Sequence, residues 1–206
     1  MKHNLTIKSK QFGKYQVKGS KYFSFAFPVN DISKLKYYLQ NLKIEHKKSS
    51  HICYAYRLLI DKQINDFSAD AGEPKGSAGI PILNVLKRNK LINTAIFVVR
   101  YYGGTKLGIP GLINSYTQSA NNVIIKNNII KFVELVDIEF YFAMKYSSII
   151  DSIIKKYDAI FIKKLFFDQA NYTISIQEKY KSKFVDDIKN STKNEVKIIN
   201  NSFDKV

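Results

Sequence analysis

The sequence contains little of what marks a secreted or membrane-bound protein. Cys53 is the single cysteine in 206 residues, so no internal disulfide can form and a reducing compartment is expected. The apolar run Ala95–Val99 is too short to span a bilayer, and it ends at Arg100. The first residues, MKHNLTIKSK, include no apolar signal segment. We therefore expect a cytoplasmic protein without a membrane span.

Acidic residues are also scarce, and they are scarcest in the first two thirds of the chain. Lys and Arg total 33 against 17 Asp and Glu, a net charge of +16. Residues 1–136 hold 21 basic against 7 acidic residues, a net of +14, whereas residues 137–206 hold 12 against 10, a net of +2. An A/T-rich genome would explain abundant lysine, but it would not remove carboxylates from one part of a protein. The imbalance favours a polyanionic partner for the first part, and solvated surface charge is the alternative.

Only nine glycines are present, and most of them lie in two loops. The loops are DAGEPKGSAG, residues 70–79, and RYYGGTKLGIPG, residues 100–111. Each leads into a predicted helix, whose first backbone amides have no partner within the helix and carry positive partial charge. The second loop adds the cations Arg100 and Lys106. It is therefore predicted to bind an anion such as phosphate.

The predicted site for this anion, or for the phosphate backbone of an RNA, spans the second loop. Its two tyrosines would stack on bases or, as aromatic residues at the end of a strand, belong to the core. The alternative is a turn that needs glycine for its geometry, with Arg100 paired to Asp70 or Glu73. No Gly-Lys-Ser/Thr sequence follows four spacer residues, so a nucleotide-hydrolysing P-loop is not indicated. The predicted residues are Arg100, Tyr101, Tyr102, Gly103, Gly104, Lys106, Gly108 and Gly111.

The first loop and the strand before it supply a second group of candidate residues. Asp70 and Glu73 would hold a metal or move a proton, or they would form a turn and pair with Arg100. No nucleophile has an adjacent base, so we expect no catalytic residue, metal site or cofactor. Cys53 is predicted to be a buried core thiol. The motif residues with a predicted functional role are His51, Asp70, Gly72, Glu73, Lys75 and Gly76.

Hydrophobic periodicity predicts a mixed chain of strands and helices. The alternation of Phe23, Phe25 and Phe27 predicts a half-buried strand, and Asp31 is predicted to cap a helix that ends near His46. Other predicted elements are a strand over 52–60, a helix that begins at Pro81, a central strand over 94–102 and a helix over 111–127. The tail shows the β-α-β-β-α-β order of ferredoxin-like domains. Its predicted strands cover 137–143, 159–167, 171–178 and 195–200, and its helices cover 147–157 and 179–191.

Three strings resemble the IMPACT/YigZ family. They are HICYAY (His51–Tyr56), GEPKGSAGIP (Gly72–Pro81) and RYYGGTKLGIPGL (Arg100–Leu112), and the match covers about residues 15–125. The resemblance implies an α+β protein with domains at 1–133 and 134–206. The first would be like the second domain of ribosomal protein S five, a two-layer α/β fold, and the second would be the ferredoxin-like domain of bacterial members.

Some of the chain's departures from the family motifs bear on the chemistry of the two loops. Ala71 stands where the family has the second Asp of D-D-G-E-P. Pro110 and Asn114 replace a Gly and an Arg of L-G-x-G-G-L-V-R-A-Y. The missing Arg removes one phosphate contact, and proline stiffens the loop where it enters the helix.

The resemblance links the chain to translation, because the eukaryotic relatives restrain the kinase that senses uncharged tRNA. We therefore expect a protein that binds RNA or a ribosome and modulates translation under stress. One alternative is an enzyme or small-molecule binder that uses the same loop for a phosphorylated metabolite. Another is a protein-interaction module, which would expose an apolar patch. The sequence does not determine the oligomeric state.

Overall fold

The computed structural model describes residues 4–125 and 128–199. The chain divides into two compact units, and the division falls between Phe132 and Val133. Residues 126–127, where the helix predicted over 111–127 would end, lie outside the described residues. Residue 200, the predicted end of the last strand, also lies outside them. None of the helices that the structure describes is long and apolar enough to cross a membrane.

A five-stranded antiparallel sheet forms the centre of the first unit. Its strand order is β2-β3-β6-β4-β5, and two short strands, β1 and β7, pair with each other. The strands are β1 (Leu5–Ile7), β2 (Gln11–Val17), β3 (Ser20–Pro28), β4 (His51–Ile60), β5 (Gln63–Ala69), β6 (Thr94–Tyr101) and β7 (Ile129–Lys131). The apolar strand β6 is central and is buried along nearly its whole length, as the sequence predicts.

Helices cover both faces of this sheet, so the unit has three layers. The helices are α1 (Ile32–Glu45), α2 (Gly79–Arg88) and α3 (Gly108–Val123). Leu35 and Leu42 of α1 share one apolar cluster with Phe25 and Phe27, whereas α2 and α3 pack on the other face around Tyr22 and other core residues. The expectation of two layers is therefore wrong. The prediction that the strand with Phe23, Phe25 and Phe27 is half-buried is also wrong, because β3 carries side chains that pack on both faces of the sheet.

Helix starts follow the sequence signals to within one turn, whereas α3 ends at Val123, four residues before its predicted end at 127. Asp31 caps α1 as predicted, because its Oδ1 accepts the Lys34 amide at 2.7 Å. Helix α2 begins at Gly79, two residues before Pro81. Helix α3 begins at Gly108, so the last residues of the second glycine loop form its first turn.

The second unit has the element order β-α-β-β-α-β and one antiparallel sheet. Its strand order is β11-β8-β10-β9. Apolar residues of β8 and β10 form one core with both helices, which leaves the opposite face of these strands polar. The elements are β8 (Leu135–Phe142), α4 (Ser147–Lys156), β9 (Ile160–Phe166), β10 (Ala170–Gln177), α5 (Lys181–Ser191) and β11 (Lys197–Ile199).

Candidate functional site

The two glycine loops lie at the same end of the five-stranded sheet. His51, the first residue of β4, pairs with Arg100 near the end of β6. Strand β5 ends at Ala69, which pairs with Tyr54 of β4, so the first loop also leaves the sheet at this end. Antiparallel pairing thus brings together two loops that are separated in sequence by residues 80–99.

The carboxylate of Asp70 organises the first loop. Its Oδ2 accepts the amide of Gly76 at 2.8 Å, and its Oδ1 accepts the amides of Ala78 at 3.0 Å and Gly79 at 2.8 Å. Burial acts to raise the pKa of Asp70, but these backbone donors outweigh it and hold the pKa below its usual value. Asp70 thus accepts the amides of Ala78 and of Gly79, the first residue of α2. These two amides are therefore not available to an external anion, contrary to the expectation from the sequence.

Glu73 joins the two loops through Arg100. Arg100 Nη1 donates to Glu73 Oε1 at 2.6 Å, and the two side chains are only 6% and 4% exposed. The Tyr116 hydroxyl of α3 donates to the same oxygen at 2.8 Å. Glu73 thus binds the end of β6 and the middle of α3 at once. Of the two partners that the sequence offered for Arg100, the structure selects Glu73.

Buried hydroxyl and thiol groups surround this ion pair. Cys53 Sγ lies 2.9 Å from the carbonyl oxygen of Asp70 and 3.3 Å from the Tyr116 hydroxyl. Burial raises the pKa of Cys53 to about 12, and burial likewise raises the pKa values of Tyr22 and Tyr116. A thiol with so high a pKa is a poor nucleophile, so Cys53 is the core thiol that the sequence predicts.

The second loop leaves the core immediately after Arg100. Gly103 passes so close to Gly19 that a Cβ on Gly103 would overlap the Gly19 backbone. Tyr102 is 47% exposed, its ring lies 5.5 Å from Arg100 Cζ, and its hydroxyl donates to the Gly104 carbonyl at 2.6 Å. Among the described residues, nothing accepts the amides of Gly104, Thr105 or Lys106. The loop therefore presents unused donors to solvent.

The remaining candidate residues divide between structural contacts and exposed positions. His51 Nδ1 lies 2.9 Å from the Ala71 carbonyl, which can only accept, so His51 donates from Nδ1. Tyr101 bonds through its hydroxyl to His46 Nδ1 at 2.9 Å. Lys75 and Lys106 are exposed and make no ion pair within the described part of the chain. Within residues 4–125 and 128–199 no group of three or more His, Cys, Asp or Glu side chains could hold a metal.

Of the predicted residues, Glu73 and Arg100 form a buried pair, and the half-buried Asp70 orders the first loop. Asp70, Glu73 and Arg100 serve the protein itself, whereas the exposed groups are Tyr102, Lys106 and the glycine backbone. The sequence placed Tyr116 only within the helix predicted over 111–127, and its bond to Glu73 was not predicted. Its signal was present, because Tyr116 stands at the position of the tyrosine that ends the family motif L-G-x-G-G-L-V-R-A-Y.

The structure thus defines a mixed α/β protein in which two glycine loops close over a buried Arg–Glu pair. The Impact N-terminal domain family matches residues 18–124. The IMPACT family member YvyE of Bacillus subtilis is 34% identical over 114 residues, 54% of this chain and 52% of that protein. The IMPACT family member YigZ of Escherichia coli is 32% identical over 111 residues, 53% of this chain and 54% of that protein.

The chain belongs to the IMPACT family, which confirms the resemblance of its motifs. The matched segments span about half the length of these curated relatives. A crystal structure described as that of an hypothetical protein superposes with a TM-score of 0.71 over 97% of both chains, at 20% identity. At that identity, the likeness shows a common fold.

Proposed function

We propose that the first unit binds the phosphate backbone of RNA, either free or within a ribosome, through the loop of residues 103–108. Binding at this loop would let the protein modulate translation in the cytoplasm under stress, in line with the family resemblance. The observation that carries the proposal is the contrast between the two glycine loops. In the first loop the Asp70 carboxylate accepts the amides of Gly76, Ala78 and Gly79. In the second loop nothing among the described residues accepts the amides of Gly104, Thr105 and Lys106, and the Lys106 side chain is exposed.

The distribution of charge within the first unit supports the same partner. Asp66 pairs with both Arg57 and Lys87, and Glu73 pairs with Arg100. Asp31 caps a helix, and Asp70 caps the first loop from within. Most carboxylates of this unit are therefore bound to protein groups, while exposed lysines remain to meet an external polyanion.

The contacts of Arg100 and Asp70 do not favour the metabolite alternative. A closed phosphate pocket would converge on Arg100 and Asp70, yet both direct their charge to protein partners. A pocket next to the second loop has a volume of about 580 Å³, but it is open and neither residue lines it. An open basic surface favours a polymer over a small enclosed ligand.

The fold of each unit supports a finer assignment. The sheet with α2 and α3 corresponds to the domain expected to be like the second domain of ribosomal protein S five, and α1 adds a layer to it. The strand order β11-β8-β10-β9 supports a ferredoxin-like assignment for the second unit.

The salt dependence of binding to a fluorescent single-stranded RNA tests this function. On single strands log K falls by about 0.7 per phosphate contact for each unit of log[salt], so four to seven contacts give a slope of about −3 to −5. Lys106→Ala should make the slope less steep by about 0.7. Lys155→Ala, which removes an exposed lysine from the second unit, is the matched control and should leave the slope unchanged. A slope near zero, or no binding at low salt, would contradict the proposal.

A further inference from the structure

The α1 side of the sheet is not fully covered by the helix. Phe12 lies on the edge strand β2 and is 44% exposed. Its ring centroid is 6.2 Å from that of Phe23, with an interplanar angle of only 13°, and 5.1 Å from that of Phe25. Helix α1 packs over Phe25 and Phe27 but leaves Phe12 open to solvent. The Phe12 ring, which is nearly parallel to the Phe23 ring, is therefore accessible to solvent at this edge.

Lysine side chains lie over the same rings. Lys14 Nζ is 5.4 Å from the Phe12 centroid and 5.9 Å from the Phe23 centroid. Lys10 Nζ lies 5.2 Å from the Phe27 ring on the same side of the sheet. Within the described ranges, Lys10, Lys14 and Lys21 make no ion pair. Their charge is thus available to an anionic ligand, because an exposed cation–π contact is weak.

This surface is continuous with the second glycine loop. The open pocket of about 580 Å³ includes Phe23, which contacts Phe12, and Tyr102, whose hydroxyl bonds to Gly104. Lys21 of β3 pairs with Tyr101 of β6 and so links the two regions across the sheet. Along the sequence, the acidic residue nearest to any residue of this surface is Glu45, which directly precedes His46 at the end of α1. We name this surface the aromatic–lysine face; its residues are Phe12, Lys14, Lys21, Phe23, His46 and Tyr101.

The opposite edge of the sheet has aromatic rings without cations. Phe67 on edge strand β5 is 43% exposed, and its ring stacks 5.2 Å from Tyr56 at an angle of 15° and 5.8 Å from Tyr54 at 30°. No cation–π contact is found for Phe67 among the described residues. Exposed stacked rings are therefore common to both edges, whereas their combination with lysines belongs to the β2 edge.

We propose that single-stranded RNA binds across the aromatic–lysine face, with bases stacked on Phe12 and Phe23 and phosphates held by Lys14 and Lys21. The strand then continues past Tyr102 to Lys106. This inference rests on the proposed function and names the form of RNA that it requires. A duplex hides the faces of its bases, so exposed rings beside cations fit a single strand. Stacking accepts any base, which predicts little sequence preference.

The test compares two phenylalanines that are matched in exposure, strand position and sheet face. Anisotropy titrations use fluorescein-labelled oligouridylate with the full chain. Phe12→Ala should weaken binding at least about fivefold, because loss of one stacked base costs about 1 kcal/mol or more. Phe67→Ala should leave the affinity unchanged. Lys14→Gln should reduce the salt slope by about 0.7, whereas Phe12→Ala should not change the slope.

Two further measurements distinguish a loss of base stacking from a loss of folding and from a change in electrostatic attraction. An oligonucleotide of the same length with abasic sites should bind the parent and Phe12→Ala equally, since it offers phosphates without bases. Phe12→Leu keeps an apolar edge residue but removes the ring, and it replaces Phe12→Ala if that variant melts early. Equal oligouridylate affinity of the parent and both Phe12 variants would overturn this proposal and leave the loop function standing. No RNA binding by the full chain would overturn both.

Discussion

Arg100 and Glu73 form a buried ion pair of 2.6 Å that joins the end of strand β6 to the first glycine loop. Tyr116 donates to the same Glu73 oxygen from helix α3, so one carboxylate fixes three elements of the site. Burial acts to lower the pKa of Arg100, but the hydrogen bond that Arg100 donates to Glu73 outweighs burial, and the pKa is raised. The pair is therefore a structural centre, and the ligand contacts that we propose lie on the exposed groups around it.

Loss of the Glu73 carboxylate should destabilise the fold. Glu73→Gln leaves the Arg100 guanidinium buried without a counter-charge, and breaking a buried pair from one side costs about 3–5 kcal/mol of unfolding free energy. Urea denaturation measures this. Asp66→Asn breaks the more exposed contacts with Arg57 and Lys87 and should cost about 1 kcal/mol or less. A Glu73→Gln protein as stable as its parent, with weakened RNA binding, would show that the pair serves the ligand instead.

Asp70 should make stability depend on acidity. Because its pKa is lowered in the folded state, its contribution is complete above the unfolded pKa of about 4 and is lost as the pH falls through the folded pKa. Asp70→Asn replaces one acceptor oxygen by a donor and should lose this contribution. Chemical denaturation of both proteins from pH 7 to pH 3 should show a stability difference that shrinks on acidification. A difference that is constant with pH would mean that the charge of Asp70 does not matter.

Two adjacent glycines of the second loop should respond differently to a methyl group. A Cβ on Gly103 would overlap the Gly19 backbone, so Gly103→Ala must move one of the two segments at a cost of about 1–3 kcal/mol. Gly104 has open space around it and a φ of +87°, so Gly104→Ala should cost about 1 kcal/mol from backbone strain alone. Thermal melting of the two variants compares the costs. Equal melting temperatures would contradict the close approach of Gly103 and Gly19.

The first unit should fold and bind RNA without the second. A fragment that ends near Val136 retains all seven strands and three helices of the first unit, together with a net charge of +14, by the count of 21 basic against 7 acidic residues. Circular dichroism and a gel-shift assay should find a folded fragment with most of the RNA affinity. If only the fragment of residues 137–206 shifts the RNA, the inference that the more basic first unit binds RNA is wrong.

The sequence by itself determined the features that depend on neighbouring residues. The apolar run 94–102 predicts the central strand, Asp31 predicts its own helix cap, and the order of elements in the tail follows from alternating periodicities. Each of these signals lies within a few residues of the structure that it predicts. The family motifs could also be recognised from the sequence, because most of their residues stand in order despite the replacements at Ala71, Pro110 and Asn114.

Only the tertiary structure decided which charged groups remain free. Arg100 and Glu73 are 27 residues apart, and Tyr116 lies 43 residues beyond Glu73, so no local pattern ranks them as partners. The sequence also could not place α1 on the face opposite α2 and α3, since both faces of β3 are apolar enough to pack a helix. Lys10 and Lys14 stand two residues to either side of Phe12, so strand alternation predicts them on its face, but only the folded chain brings Phe23 and Phe25 to the same face. Contacts between distant segments depend on how sheets and helices pack, and that packing separates the buried Arg100 from the exposed Lys106.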